Sequence, residues 1–261
     1  MPPTVVERTA MRRARPASTG APPLLELRQV SKAFGAVRVA HGLDLTLAEG
    51  EALGIIGPNG AGKTSMFNLV SGALKVDGGE IWFDQANVTS LSPATRCRAG
   101  LARTHQIPKP FVGMTVFENV LVGATFGAAG ASRDAHAEAS AALLATGLHA
   151  KADRLAASLT LLDRKRLELA RALATRPRLL LLDEIAGGLT EHEVRALIDT
   201  IIGIRDQGVA LIWIEHIVHA LLSVVDRLAV VNQGRVLAEG DPTQVMASAE
   251  VRQVYLGIGE Q

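Results

Sequence analysis

The feature that most constrains this sequence is a glycine-rich octapeptide between an apolar run and a helical segment. Gly57-Pro58-Asn59-Gly60-Ala61-Gly62-Lys63-Thr64 follows the apolar run 52–56 and leads into residues 64–74, which are expected to be helical. In that order, backbone N–H groups and a helix N-terminus can surround a phosphate. The spacing predicts that Lys63 reaches the terminal phosphates of a nucleotide and that the Thr64 hydroxyl ligates magnesium. The predicted nucleotide contacts are Gly57, Pro58, Asn59, Gly60, Ala61, Gly62, Lys63, Thr64 and Ser65.

A second apolar run ends in two adjacent carboxylates. Residues 179–182 are four leucines, and Asp183 and Glu184 follow them directly. A carboxylate at the end of a buried strand is expected to hold magnesium opposite the phosphate loop, and Asp183 takes that role. Since successive side chains of an extended chain alternate, Glu184 is expected to orient or deprotonate the attacking water. The alternative is that the pair only caps a helix.

The remaining pattern predicts an α/β fold with a parallel-sheet core of the P-loop NTPase (RecA-like) type. Apolar runs at 179–182, 209–214 and 228–231 are separated by helical segments, as in a parallel sheet covered on both faces. Alternating residues from Leu24 onwards predict an N-terminal antiparallel β subdomain. An alanine-rich stretch indicates an inserted helical subdomain at about residues 96–160. Residues 1–23 are expected to be a disordered basic tail ahead of one domain, 24–261.

Composition excludes several classes of function. The net charge of +1 implies no bulk attraction to nucleic acid or anionic lipid. The single cysteine, Cys97, excludes an intrachain disulfide and fits a reducing compartment. No apolar run is long enough for a spanning helix, and no secretory signal is evident, so we expect the chain neither to cross a membrane nor to be exported. The basic residues Arg164, Lys165, Arg166 and Arg171 do not share one helix face, which favours a solvated surface over a nucleic-acid site.

From Leu24 to the C-terminus, the order of these motifs resembles that of the ATP-binding subunits of ABC transporters. The resemblance implies ATP and Mg²⁺ as cofactors. It also implies that Phe34 stacks on adenine, that Gln106 touches magnesium and senses the γ-phosphate, and that His216 contacts the γ-phosphate. His216 follows an apolar run, and ligands of open α/β sheets bind at the carboxyl ends of strands. Glu184, His216 and Gln106 are therefore the expected catalytic residues.

Two segments depart from the family pattern. Residues 159–163 read Leu-Thr-Leu-Leu-Asp where the family has Leu-Ser-Gly-Gly-Gln, the signature that binds the γ-phosphate held by the partner subunit. Leucines replace the permissive glycines, and the Asp163 charge would compete with phosphate in the first helical turn. Thr160 to Asp163 also has the spacing of a capping box, so the segment can equally be a plain helix start. Thr190 stands where the family often has an acidic or amide residue, which puts signalling across the subunit interface in doubt.

Within the family, residues 103–111, 114–120, 170–174 and 254–257 resemble the branched-chain amino-acid importer ATPases. The expected function is an ATP-hydrolysing subunit on the cytoplasmic face of the cell membrane. Its expected partners are a second ATP-binding subunit, integral-membrane permease subunits and, indirectly, an extracytoplasmic solute-binding protein, with no nucleic acid. A heterodimer is favoured and a homodimer is possible. The alternatives are a gating subunit with weak hydrolysis and a soluble ABC ATPase acting on nucleic acid or ribosomes.

Overall fold

The structure is a computed structural model that describes residues 21–127 and 134–256. Most of the predicted basic tail, residues 1–20, lies outside the described residues. The chain divides into two compact units, which are described separately. Among the described residues, the first unit comprises 21–92 and 212–256, and the second comprises 93–127 and 134–211.

The secondary structure alternates between strands and helices after an initial pair of long strands. The strands are β1 (Leu25–Phe34), β2 (Val37–Leu47), β3 (Ala52–Ile56), β4 (Gly78–Phe83), β5 (Ala86–Asn87), β6 (Leu101–Arg103), β7 (Leu179–Asp183), β8 (Ala210–Ile214), β9 (Arg227–Asn232) and β10 (Arg235–Gly240). The helices are α1 (Lys63–Val70), α2 (Pro93–Arg98), α3 (Val116–Phe126), α4 (Ala135–Ala145), α5 (Leu161–Ala174), α6 (Glu191–Asp206), α7 (Val218–Leu222), α8 (Pro242–Ala247) and α9 (Ala249–Leu256).

The first unit contains the predicted antiparallel subdomain as a four-stranded sheet in the order β2-β1-β4-β5. Strands β1 and β2 are longer than the alternating segments in the sequence suggested. Register shifts interrupt the pairing between Leu27 and Ala33, and Gln29 adopts a φ of 49°. A bulged strand no longer places every second residue on the same face, so the alternation fades while the pairing continues.

The phosphate-loop segment of the first unit is built on parallel pairing. Every residue of β3 is buried, and β3 pairs in parallel with β9, which pairs antiparallel with β10. The prediction of a buried strand at 52–56 is therefore confirmed. Helix α1 is shorter than the predicted segment 64–74: it ends at Val70, and Gly72 adopts a φ of 79°. A left-handed glycine just past the last turn is a common helix end.

The second unit contains the strand that carries the predicted carboxylates. Strand β7 is buried along its whole length, and β6 pairs with it in parallel in the register Leu101↔Leu179 and Arg103↔Leu181. Strand β8 contributes residues to both units. The apolar runs predicted as strands at 179–182, 209–214 and 228–231 are thus observed as β7, β8 and β9.

Three helices of the second unit share one apolar core. Buried residues of α3, α4 and α5, among them Val116, Leu143 and Leu167, form this core. The helical stretch was predicted to extend to about residue 160. Helix α5 follows it directly, and buried residues of α5 belong to the same core as far as Ala174. Among the described residues, no helix is both long and apolar enough to cross a bilayer.

Candidate functional site

The loop after β3 has a backbone that requires glycine at two positions. A Cβ atom on Gly57 would lie 2.0 Å from the Val231 carbonyl oxygen, and one on Gly62 would lie 2.4 Å from the Val39 carbonyl oxygen. Gly62 also has a φ of 103°, which L-residues rarely adopt. Gly62 is the N-cap of α1 and has no side chain that could accept a hydrogen bond from the helix. The first N–H groups of α1 are therefore left uncapped at the loop.

Lys63 is buried inside this loop. Its side chain is 6% exposed, and its Nζ donates hydrogen bonds to the carbonyl oxygens of Gly57 at 2.7 Å and Pro58 at 3.0 Å. The ammonium group is therefore held where the loop would enclose an anion, at the start of a helix. This cradle suits an anion such as a nucleotide phosphate, and the nucleotide contacts of the loop stay a prediction.

The other predicted contacts of this unit differ in exposure, and Ala61 among them is buried. Asn59, Gly60 and Thr64 are exposed, while Pro58 and Ser65 are half-buried. The Phe34 ring is more than half exposed at the end of β1, and Lys32 Nζ lies 5.5 Å from its centroid. Its face can accept a stacked base, since aromatic rings prefer offset stacking and exposed phenylalanine gains from being covered.

His216 lies two residues beyond the end of β8. It is exposed, and its backbone N–H donates to Oε1 of Glu215, which is buried. His216 is therefore accessible at the end of a strand, and its contact with a γ-phosphate stays a prediction.

Asp183 is the last residue of β7 and is 3% exposed. Its Oδ2 accepts a hydrogen bond from the Arg103 guanidinium at 2.7 Å. Thr104 lies beside it: the Thr104 N–H donates to the Leu181 carbonyl at 2.9 Å. The parallel pairing of β6 with β7 thus places a cation against the predicted magnesium ligand. Arg103 was not predicted, because nothing in its sequence surroundings marks it as a partner of Asp183.

Glu184 adopts a left-handed backbone conformation, with a φ of 44°. This conformation is uncommon for a residue with a long side chain and turns the chain sharply at the strand end. The side-chain amide of Gln106 donates a hydrogen bond to Glu184 Oε2. Two of the predicted catalytic residues therefore meet, although 78 positions separate them in the sequence.

Gln106 begins a loop that is anchored at several points within the second unit. Lys165 Nζ of α5 donates to the Gln106 carbonyl at 2.8 Å. Farther along, Arg171 donates to the Lys109 carbonyl at 2.9 Å and lies over the Phe111 ring at 4.9 Å. Buried Asn119 of α3 accepts from the Phe111 N–H and donates to the Phe111 carbonyl. Such buried side-chain bonds fix the course of an irregular loop.

Lys165 corrects the expectation of a solvated basic face. It is 3% exposed and contacts Gln106, whereas its neighbour Arg164 is exposed and holds the Leu159 and Ala157 carbonyls. The expectation was wrong because the buried surface of α5 is wide: eight of its fourteen residues are buried, so it covers more than one face.

His105 precedes Gln106 and shares its surroundings. Partial burial lowers its pKa, and the Arg103, Lys109 and Arg171 cations lower it further, while Glu168 opposes them. The neutral imidazole is therefore the favoured form near neutral pH.

The segment that departs from the family signature starts a helix. The Thr160 side chain accepts the Asp163 N–H as the N-cap of α5. Asp163 is buried, and its carboxylate is paired with the Lys151 ammonium group. The negative charge that was expected to compete with phosphate is therefore directed to Lys151. Leu161, in the first turn, stays partly exposed and has its Cδ2 3.3 Å from where a Cβ on Gly188 would lie.

Thr190, the second departure, also caps a helix. Its side chain accepts the Glu193 N–H, and the Glu193 carboxylate accepts the Thr190 N–H, which together form a capping box for α6. This local role accounts for a threonine at the position.

Comparison with known proteins identifies the class. Residues 40–187 match the ABC transporter family, and residues 235–260 match the C-terminal segment described as branched-chain amino acid ATP-binding cassette transporter. Because the first match covers more than half of the chain, the protein belongs to the ABC transporter family, as an ATP-hydrolysing subunit.

Three relatives show which ATP-binding subunits of this family the chain resembles. The chain is 35% identical over 250 residues to LivG of Escherichia coli, a high-affinity branched-chain amino acid transport ATP-binding protein, covering 90% of this chain and 98% of LivG. BraF of Pseudomonas aeruginosa has the same values. A lipopolysaccharide export ATP-binding protein, LptB of Acidithiobacillus ferridurans, is 34% identical over 235 residues, covering 90% and 97%.

Solved structures agree in fold. A nucleotide-free ATP-binding cassette of an ABC transporter has a TM-score of 0.82 at 28% identity, covering 92% of this chain and all of that one. The ADP conformation of an ABC-transporter cassette has a TM-score of 0.83 at 28% identity, covering 91% and all of the other chain. The predicted α/β class is confirmed, and the family binds nucleotide.

Proposed function

We propose that this subunit uses Mg-ATP to drive an importer of branched-chain or closely related amino acids. The C-terminal match over residues 235–260 carries the choice of cargo, together with the identity to LivG and BraF. Overall identity does not decide the cargo, because LptB is nearly as similar. The ATPase chemistry rests on the Gly57–Thr64 loop, whose buried Lys63 lies inside a backbone that only glycine allows.

Each site residue has one task in this proposal. Lys63 and the N–H groups at the start of α1 bind the terminal phosphates, and Phe34 stacks on adenine. Thr64, Asp183 and Gln106 hold Mg²⁺, which when bound neutralises phosphate charge. Oxygen ligands of this kind suit magnesium.

Glu184 and Gln106 act at the same place in this proposal. Glu184 acts as the base that orients water, and its carboxylate accepts a bond from the Gln106 amide in this structure. If Gln106 served as a ligand of Mg²⁺, its amide would no longer occupy Glu184 Oε2, and that oxygen would be available to orient water. His216 then contacts the γ-phosphate from the end of β8.

The altered signature supports an asymmetric pair of ATPase subunits. Thr160 is used as a helix cap, Asp163 as the partner of Lys151, and a leucine fills the first turn of α5. This helix start lacks the glycine backbone on which close approach to phosphate depends. This chain therefore holds ATP against an intact signature of a different partner, and its own segment serves a weaker opposite site.

The loop after Gln106 carries the proposed contact with the permease. Ile107 is 71% exposed and Val112 is 61% exposed, on a loop whose backbone is anchored by Arg171 and Asn119. Exposed apolar side chains on a held loop are typical of a protein interface. Ile107→Asp with Val112→Asp is expected to release the subunit from its permease. Phe126→Asp, which changes a 72% exposed residue of α3, is the matched control.

The deciding experiment is purification of the Glu184→Gln protein from membranes in Mg-ATP, followed by identification of the co-purifying subunits. Reconstituted wild-type transporter is then tested for ATPase stimulation by leucine, isoleucine and valine with the binding protein. Stimulation by these solutes supports the proposal. Co-purification with ribosomes or nucleic acid, or stimulation only by an unrelated solute, contradicts it.

A further inference from the structure

Lys165 places a positive charge in the interior of the second unit. It is 3% exposed, in the second turn of α5 and only two residues beyond Asp163. Burying an ammonium group is unfavourable unless protein atoms replace the water that it loses. The Gln106 carbonyl, at 2.8 Å from Nζ, is one such atom.

This contact belongs to a short chain of three residues. Lys165 bonds to the backbone of Gln106, and the side chain of the same Gln106 bonds to Glu184. A bond to a charged donor is stronger and more directional than a neutral one. The Lys165 ammonium group therefore fixes the peptide group from which the Gln106 side chain projects.

Other anchors hold the loop at a distance from Gln106. Arg171 and Asn119 bind at Lys109 and Phe111, three and five residues farther along. These contacts position the far end of the loop, while Lys165 acts at the glutamine itself. Both Lys165 and Arg171 belong to α5, the helix that begins at the altered signature.

We propose that Lys165 is a positioning residue for ATP hydrolysis, which fixes the backbone of Gln106 and so sets whether its side chain meets Glu184 or the metal. The inference rests on the proposed function. It also links the start of α5 to the catalytic carboxylate, because a displacement of that helix moves the donor that holds Gln106.

A double-mutant cycle in the assembled transporter tests the inference. Lys165→Met removes the charge and the donor at similar length, Lys165→Arg keeps both, and Gln106→Ala removes the side chain that is positioned. We expect Lys165→Met to lower kcat by about 10-fold and to raise the Mg²⁺ concentration for half-maximal activity several-fold. Lys165→Arg is expected to stay within about 3-fold of wild type, since the donor remains. In the Gln106→Ala background, Lys165→Met is expected to change kcat by less than about 2-fold.

Binding of a fluorescent ATP analogue separates positioning from general damage. Affinity in EDTA is expected to stay within about 2-fold of wild type in Lys165→Met, whereas affinity with Mg²⁺ falls. Lys75→Met, at an exposed position of the first unit, is the matched control. If Lys165→Met does not fold, Lys165→Gln takes its place in the same cycle.

Equal losses of kcat in the two backgrounds, or an unchanged Mg²⁺ requirement, would overturn the inference and leave the proposed function intact. Failure of the wild-type protein to bind Mg-ATP would instead overturn the proposed function. If Lys165→Met lowers kcat in the wild-type background but not in the Gln106→Ala background, the result supports both the inference and the proposed function.

Discussion

The Gln106 side-chain amide donates a hydrogen bond to the Glu184 carboxylate. The two residues follow β6 and β7, which pair in parallel, so their strand ends lie side by side. A carboxylate that accepts this bond while its backbone is held in a left-handed conformation is constrained in both position and direction. The contact brings together two residues that are far apart in sequence and that we propose to be catalytic.

Replacing Glu184 by Gln is expected to abolish turnover while preserving ATP binding. The carboxylate proposed to orient water is lost, and general-base catalysis of this kind contributes about 10²- to 10⁴-fold. Phosphate release by the assembled complex measures the loss, and Glu250→Gln, at an exposed position of α9, is the control. Near-normal turnover in Glu184→Gln would show that the base is a different residue.

Replacing Lys63 by Met is expected to lower nucleotide affinity at least about 10-fold, because its buried ammonium group is the charge inside the phosphate loop. The loss of two bonds to loop carbonyls also reduces stability, by about 1 to 3 kcal/mol. Titration calorimetry with ATP and thermal unfolding measure the two effects. The same substitution at exposed Lys75 should change neither the ATP affinity nor the stability. An unaltered ATP affinity in the Lys63 variant would show that the loop does not bind the nucleotide.

Two glycine-to-alanine substitutions should shift stability in opposite directions. Gly62→Ala sets a Cβ 2.4 Å from the Val39 carbonyl at a φ of 103°, so we expect a loss of more than about 2 kcal/mol. Gly203→Ala, in the last turn of α6, meets open space and should add about 0.5 to 1 kcal/mol through helix propensity. Urea unfolding compares the two proteins. Equal tolerance at both positions would mean that the phosphate loop is not held against Val39.

Acidification should destabilise the wild-type protein in part through His105. Its pKa in the folded protein is lowered from 6.5. As the pH falls, the His105 imidazole of the unfolded chain therefore takes up a proton before that of the folded protein. The free energy of unfolding should decline as the pH falls below about 6.5. His105→Gln cannot titrate and should lose less stability between about pH 7 and about pH 5.5. Parallel pH profiles for both proteins would contradict the lowered pKa.

The sequence could predict those parts of the fold that depend on local residue patterns. Uninterrupted apolar runs predicted β3, β7 and β9, because a strand that is buried on both faces has apolar residues at successive positions. The glycine spacing of the phosphate loop predicted a backbone that only glycine allows at Gly62. The order of motifs and the family resemblance together assigned Gln106 and Glu184, and the structure brings them into contact.

Other contacts depend on packing between elements distant in sequence. Lys165 was expected on a solvated face, because helix periodicity does not reveal that α5 is covered on more than one side. Arg103 beside Asp183 follows from the register of β6 against β7, which no local pattern specifies. Asp163 was expected to oppose phosphate, and its pairing with Lys151 depends on a turn 12 residues earlier.

The central claim is that Lys63 and Asp183 serve one magnesium nucleotide. Its most direct measurement is calorimetric titration of the Glu184→Gln protein with ATP, with and without Mg²⁺, in backgrounds with Lys63→Met or Asp183→Asn. We predict a single site whose affinity Lys63→Met lowers at least about 10-fold. In the same site, Asp183→Asn should remove the gain in affinity from Mg²⁺ while leaving metal-free binding intact. Absence of nucleotide uptake, or an undiminished Mg²⁺ effect in the Asp183→Asn protein, would contradict the account.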